Sequence, residues 1–237
     1  MDVNIIDIII VILLIMGAIM GFQDGVIKKT TSFIGMLVVV FLSFTLKSTL
    51  SAILYNNLPF FNFWGHLSGL TSLNILLYET IAFLLLLIIF GVILSFLVKL
   101  SGLLEKLLKM TVVLTIPSKI LGIFVGFIEM FLWIYIILFI LSLPAFNLKV
   151  VNESKYTNKI LNTTPVLNEF AKTTVSAYDE VYGLIEQHTN ENTDYINGAI
   201  LDRLLNYKIV SATDAQGLVD KNKLKIPASN DIIGKYR

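Results

Sequence analysis

The 237-residue sequence contains no cysteine and only two histidines, and these absences exclude several kinds of site. Without cysteine there can be no disulfide, no thiolate nucleophile and no cysteine-ligated zinc. His66 and His188 lie in different regions, and neither belongs to a paired motif such as HExxH. The nucleophile motif G-x-S-x-G and the phosphate-binding loop are also missing. We therefore expect no enzyme activity, no catalytic residues, no metal and no other cofactor.

Charged residues are scarce, at 15% of the chain, against about 25% in soluble domains. Residues 1–144 hold only seven lysines and six acidic residues, whereas residues 145–237 hold eleven of each sign. The net charge of +1 also comes without the concentrated basic patch that binds nucleic acid. The composition thus predicts a membrane domain at 1–144, a polar and mainly helical domain at 145–237, and no nucleic-acid partner.

Four stretches are long and apolar enough to cross a bilayer, which takes about 20 residues. The expected spans are residues 3–22, 30–47, 77–100 and 117–142. The first span has no positive charge before it and is longer than a signal-peptide core, so we expect it to be retained. The predicted fold class is an all-α integral membrane protein whose four spans precede a small helical extramembrane C-terminal domain.

The lysines near the spans predict the orientation of the chain, because short cytoplasmic loops are rich in Lys and Arg. On one side of the membrane, the second loop carries only Lys47. The first and third loops, on the other side, carry six lysines, Lys28, Lys29, Lys99, Lys106, Lys109 and Lys119. Three lysines after the fourth span reduce this difference in lysine number between the two sides. We expect both termini outside the cytoplasm.

The second predicted loop, residues 48–76, is rich in aromatic residues. Phe60, Phe61, Phe63 and Trp64 cluster beside Pro59. Because aromatic side chains favour the headgroup region, this loop either lies on the outer membrane surface or enters the membrane and returns. The surface arrangement is the commoner of the two.

Glycines recur at four-residue intervals in two of the spans. Gly17, Gly21 and Gly25 lie in or just after the first, and Gly122 and Gly126 lie in the fourth. Such spacing makes a flat stripe that another helix can approach closely. The glycines either pack the four-helix bundle or form an oligomer contact or a hinge.

Three acidic residues lie in or beside the spans. Glu129 is about 18 Å along the fourth helix, near the middle of the membrane. It is either part of a proton- or ion-linked site or a neutral carboxyl that bonds a neighbouring helix. Asp7, three residues after Asn4, is expected to cap the first helix rather than to act in catalysis. Glu79 is expected to begin the third span, where a helix N-terminus favours an acidic residue.

The polar C-terminal part shows amphipathic patterns. Apolar residues at three- and four-residue steps predict helices at 166–188 and 195–207. A third helix is expected at 211–221, with Ser211 as its N-cap and Asp214 three residues later. The last fourteen residues, LKIPASNDIIGKYR, are expected to be extended or disordered.

The arrangement of residues 1–143 resembles the colicin V production protein family of bacterial inner-membrane proteins. The resemblance rests on these residues: Asn4, Asp7, Gly17, Gly21-Phe22, Gly25, Gly35, Leu121-Gly122 and Gly126. It implies four spans, a location in the bacterial cytoplasmic membrane and a role in bacteriocin production or envelope integrity, with no defined biochemical activity. Glu129 departs from the family pattern, which often has a basic or small residue at this point.

Two functions follow as hypotheses. The first is an envelope scaffold or accessory factor in toxin production, secretion or envelope homeostasis. Its partners would be the lipid bilayer and a second copy or other envelope proteins, bound through the C-terminal domain. The alternative is an oligomeric small channel or transporter subunit that uses Glu129.

Overall fold

The computed structural model describes residues 4–109, 115–142, 149–163, 165–187 and 192–237. These residues form α-helices, one turn of 3-10 helix and no strand. The α-helices are α1 (Ile5–Asp24), α2 (Val26–Asn57), α3 (Leu73–Lys109), α4 (Thr115–Ser142), α5 (Lys149–Asn152), α6 (Lys155–Thr163), α7 (Pro165–Gln187), α8 (Thr193–Asn206), α9 (Ala212–Asp220) and α10 (Ser229–Gly234). The predicted all-α fold class is confirmed.

Four of the helices are long and apolar enough to cross a membrane. They comprise Ile5–Asp24, Val26–Asn57, Leu73–Leu100 and Ile116–Ser142. The prediction of four spans followed by C-terminal helices is therefore confirmed. The predicted boundary between residues 144 and 145 lies outside the described residues and stays a prediction.

The second span is the one whose bounds the sequence predicted poorly. It was expected at 30–47, but α2 runs from Val26 to Asn57. Only Gly25 separates it from α1, with a φ of 79° that suits glycine far better than other residues. Lys28 and Lys29 are therefore helical, and the predicted first loop is wrong. The second loop is correspondingly shorter, at 58–72.

The chain divides into two compact units. The first unit comprises Met1–Leu42 and Leu87–Asn168, and the second comprises Ser43–Leu86 and Glu169–Arg237. The division falls within α2 and α3, so each unit contains parts of the membrane spans.

The first unit has a core of apolar side chains that joins the spans to the short helices after them. Ile10 of α1, Met36 of α2 and Ile134 of α4 are buried in it. Val151 of α5 and Ile160 of α6 belong to the same core. α5 and α6, which follow α4, are thus packed against the spans through buried apolar side chains.

The second unit joins the C-terminal helices to the segment between α2 and α3 through buried hydrogen bonds. Asn197 of α8 accepts a bond from the Ser72 amide at 3.0 Å and donates one to the Gly69 carbonyl at 2.9 Å. Tyr178 of α7 donates to the Leu76 carbonyl at 2.9 Å. Burial raises the pKa of the Tyr178 hydroxyl well above its usual range.

The end of α2 is capped by a lysine from far along the sequence. The last carbonyls of a helix have no partner within the helix and favour a cation. The Lys223 ammonium donates to two of these carbonyls, those of Tyr55 and Asn56, at 2.7 and 2.9 Å, and to the carbonyl of Leu58, the residue after the helix, at 2.9 Å. It also lies 5.6 Å from the centre of the Phe60 ring. Lys223 therefore fixes the point where α2 ends.

The C-terminal part contains the three helices that its sequence patterns predict, together with others that they did not predict. α7, α8 and α9 lie within about two residues of the predicted bounds, apart from His188, which is outside the described residues. α5 and α6 were not predicted. Ser211 caps α9 as expected, since its hydroxyl accepts from the Asp214 amide at 3.0 Å. The extended or disordered end is wrong, because α10 forms there and Ile233 is fully buried.

Replacing Lys223 by Met should destabilise the second unit, because three carbonyls at and just after the end of α2 lose a charged donor while the apolar stem remains. Hydrogen bonds to charged groups contribute about 1.5–3 kcal/mol each, and water will replace part of this loss. We expect a lower midpoint of thermal unfolding by circular dichroism in detergent micelles. Lys225→Met, at an exposed position on the same segment, is the control. Equal midpoints for the two variants would contradict the capping role.

Candidate functional site

A close helix contact of the first unit is built from four glycines. Gly17 and Gly21 of α1 face Gly122 and Gly126 of α4. A Cβ atom added to Gly21 would lie 2.0 Å from the Gly122 carbonyl oxygen, and one added to Gly126 would lie 2.3 Å from that of Gly17. No side chain fits at such distances, so the two backbones are in direct contact.

The other two glycines singled out from the sequence have different positions. Gly25 ends α1 and allows α2 to begin at the next residue. Gly35 of α2 faces Leu94 of α3, whose Cδ1 would lie 2.0 Å from an added Cβ. All six glycines thus have structural positions within the chain, and an oligomer contact through any of them stays a prediction.

Glu129 of α4 is the carboxylate of a buried ion pair. The Lys29 ammonium donates to its Oε2 at 2.9 Å, and the Ser32 hydroxyl donates to its Oε1 at 2.6 Å. The side chains of Lys29 and Glu129 are only 7% and 9% exposed. The Asp24 carboxylate is 4.0 Å from the same ammonium. Glu129 thus bonds a lysine and a serine of the neighbouring helix α2.

A second pair of the same kind lies in the second unit, and sequence reasoning missed it. The Lys47 ammonium donates to Glu79 Oε1 at 2.8 Å, with side chains 6% and 2% exposed. Ser48 donates to Oε1 at 2.9 Å and Ser51 to Oε2 at 2.7 Å. Glu79 does not begin its helix, which starts at Leu73. Lys47 is helical and buried rather than part of a loop.

The two pairs share a sequence signal on α2. Ser32 follows Lys29 by three residues and Ser51 follows Lys47 by four, which places each serine on the same helix face as its lysine. A lysine with a serine at this spacing inside an apolar helix indicates a buried acceptor. The identity of that acceptor could not be read from the pattern, because it lies on another helix.

The chemistry available to these carboxylates is limited. Each oxygen of Glu129 and Glu79 already accepts a hydrogen bond from a lysine or a serine. Within the described parts of the chain, no three or more His, Asp or Glu side chains are grouped so as to hold a metal ion. The geometry favours holding helices together over binding a ligand.

Asp7 has partners other than the expected ones. Asn4 is the N-cap of α1, and its side chain accepts from the Ile6 amide at 2.9 Å. The Asp7 carboxylate instead accepts from the Ser154 hydroxyl at 2.6 Å and from the Tyr156 amide at 3.0 Å. It therefore caps the start of α6 and ties the beginning of α1 to the segment after α4. Asp7 was expected to cap α1, but the helix that it caps is α6.

A family model, described as Colicin V production protein, matches residues 6–165. The chain belongs to the colicin V production protein family. The sequence resemblance is thereby confirmed, and the match extends past the expected 1–143 to include α5 and α6. No curated protein and no solved structure matches the chain. Family membership and the four spans together make it a multi-pass membrane protein.

Gly21→Ala should destabilise the fold, because its methyl group requires α1 and α4 to move apart. Overpacking of a tight interior typically costs about 1–3 kcal/mol. Gly91→Ala on α3 is the matched control, since an added Cβ there meets nothing within 4 Å. Thermal unfolding in lipid nanodiscs should give a lower midpoint for Gly21→Ala and an unchanged or higher one for Gly91→Ala. The opposite order would refute the proposed tight contact.

Removing one member of the Lys29–Glu129 pair should cost more than removing both. Breaking a buried pair leaves an uncompensated charge and typically costs about 3–5 kcal/mol. Lys29→Met and Glu129→Gln should each lower the unfolding midpoint, and the double variant should recover part of the loss. Lys28→Met, which removes the partly exposed partner of Asp24, should have a small effect. Additive single effects would show that the two side chains are not coupled.

Proposed function

We propose that the chain is a non-catalytic envelope scaffold or accessory factor of the bacterial cytoplasmic membrane. It would act in toxin production or secretion, or in envelope homeostasis. The family match supports the general class of membrane protein, while the particular role is our inference. One observation carries it: both buried carboxylates of the spans are neutralised by lysines of the same chain.

This observation bears on function because charged groups within a membrane usually mark an ion pathway, a proton relay or a structural pair. A pathway needs a carboxylate that can exchange partners with water or substrate. Glu129 and Glu79 have both of their oxygens engaged by donors from α2. They are better suited to fixing the helices than to conducting ions.

The contacts also support the proposed topology. In the first unit, Asn4 donates to the Val150 carbonyl at 2.8 Å, so the start of α1 lies beside the segment after α4. In the second unit, the C-terminal helices bond the segment between α2 and α3. Within each unit an even number of spans separates the two bonded segments, so each contact by itself agrees with the topology expected for the ends of the chain. The lysines around the α3–α4 connection support an extracytoplasmic position for those ends.

The alternative is an oligomeric channel or transporter subunit that depends on Glu129. It requires the Lys29–Glu129 pair to open during transport, and it requires several copies, because four spans enclose little space. The pair is the feature that separates the two proposals, since a scaffold needs it only for stability.

Complementation with the double variant Lys29→Met/Glu129→Gln tests this difference in the source bacterium. A strain that lacks the gene should become more sensitive to envelope stress, for example to detergent. If the chain is a scaffold, the double variant should restore resistance whenever its membrane level matches that of the wild type. Gly91→Ala serves as the control for expression and assay.

Failure of a stably inserted double variant to complement would contradict the scaffold proposal. A flux assay on purified protein in liposomes completes the test. The scaffold proposal expects no ion or solute flux above that of empty liposomes. Flux that Glu129→Gln alters would establish the alternative.

A further inference from the structure

The segment between α2 and α3, residues 58–72, has a composition unlike that of a loop in water. It contains no Asp, Glu, Lys or Arg, and it joins two helices that are long and apolar enough to cross a membrane. Four of its residues are aromatic: Phe60, Phe61, Phe63 and Trp64. We call this segment the aromatic loop.

Three of the aromatic side chains form a cluster on the surface of the second unit. The Phe61 ring is at the centre, 5.3 Å from that of Phe63 and 5.6 Å from that of Trp64, with steep interplanar angles. Such edge-to-face pairs are favourable beyond their buried area. Trp64 is nevertheless 77% exposed and Phe61 is 46% exposed. The cluster is internally packed and still presents a large apolar surface.

The rings are exposed although hydrogen bonds hold the backbone of the loop in a defined conformation. Asn74 of α3, only 1% exposed, accepts from the Phe61 amide at 2.6 Å and donates to the Phe61 carbonyl at 3.1 Å. The Tyr78 hydroxyl donates to the Pro59 carbonyl at 2.6 Å. Phe60 points the other way, towards Tyr78, with ring centres 6.4 Å apart. Phe60 is thus directed into the second unit, whereas Phe61 and Trp64 are held at its surface.

We propose that Phe61, Phe63 and Trp64 form an anchor that inserts into the headgroup region of the bilayer. Three observations select lipid as the occupant. The loop is continuous with two membrane-spanning helices, it has no charged side chain to repel, and it presents tryptophan and phenylalanine, which favour the membrane interface. A rigid anchor at this point would hold the ends of α2 and α3, and the C-terminal helices bonded to them, at a constant depth.

Tryptophan fluorescence can test the anchor directly, because the chain has only two tryptophans, Trp64 and Trp133. Trp133→Phe leaves Trp64 as the sole reporter in phosphatidylcholine vesicles whose acyl chains carry bromine at known depths. The largest loss of emission is expected with bromine nearest the headgroup, and aqueous iodide should quench weakly. Trp64→Phe leaves Trp133 of α4 as a reference within the bilayer, which deeper bromines should quench more strongly.

Two results would overturn the proposal. Quenching of Trp64 by iodide but by no brominated lipid would place the cluster in water or against a protein partner. Strongest quenching by the deepest bromines would make the loop re-entrant rather than interfacial. Neither result depends on the scaffold role, so the anchor and the proposed function can fail separately.

A second measurement covers the case in which Trp133→Phe does not fold. Because the chain has no cysteine, Trp64→Cys offers a single site for a nitroxide spin label. Oxygen, which concentrates in lipid, should relax this label more than a water-soluble nickel chelate does. Lys225→Cys, at an exposed position, should show the reverse preference. Greater relaxation by the nickel chelate than by oxygen at position 64 would refute the anchor.

Discussion

The cost of placing carboxylates within apolar helices is the constraint on which the rest of this structure depends. An ionised carboxylate that leaves water without a partner is strongly destabilising. Here one helix, α2, supplies a lysine and at least one serine to each of two carboxylates, Glu129 of α4 and Glu79 of α3. Since the two pairs belong to different compact units, α2 is the element through which both units satisfy their buried charge.

The first pair also depends on how closely α1 and α4 approach each other. Four glycines bring these helices into backbone contact, and Gly25 then turns the chain into α2 without an intervening loop. The first amide of α2, that of Val26, donates to the Ser118 hydroxyl of α4 at 3.2 Å. The first turn of α2 is thereby held beside α4, which brings Lys29 within reach of Glu129. The position of the Lys29–Glu129 pair thus depends on both the glycine contact and the turn at Gly25.

The parts of the fold that depend on local sequence were predictable, and those that depend on distant partners were not. Hydropathy located four spans, and Ser211 with Asp214 identified the start of α9. The bounds of α2 were wrong because lysines were taken as ends of the span, although their charges are neutralised by residues on other helices. Asp7 was expected from its local position to cap α1, but its carboxylate binds the start of α6. At the end of the chain, α10 forms with Ile233 buried against the rest of the second unit. Pairing across 32 or 100 residues leaves no periodic signal in a single sequence.

The buried charged residues of the described spans bind one another, and this limits the surfaces with which the protein could bind a partner selectively. Within the described spans, the ionised side chains at the two sites already bind one another, and the surfaces left towards the bilayer are apolar, as at Ile88 and Val92 of α3. An apolar surface in lipid distinguishes partners poorly, because lipid tails are as apolar as the side chains. Selective binding of a partner would therefore depend on the polar helices after the spans. Asn197 of α8 and Lys223, which follows α9, join this C-terminal part to the aromatic loop and to the end of α2 through hydrogen bonds.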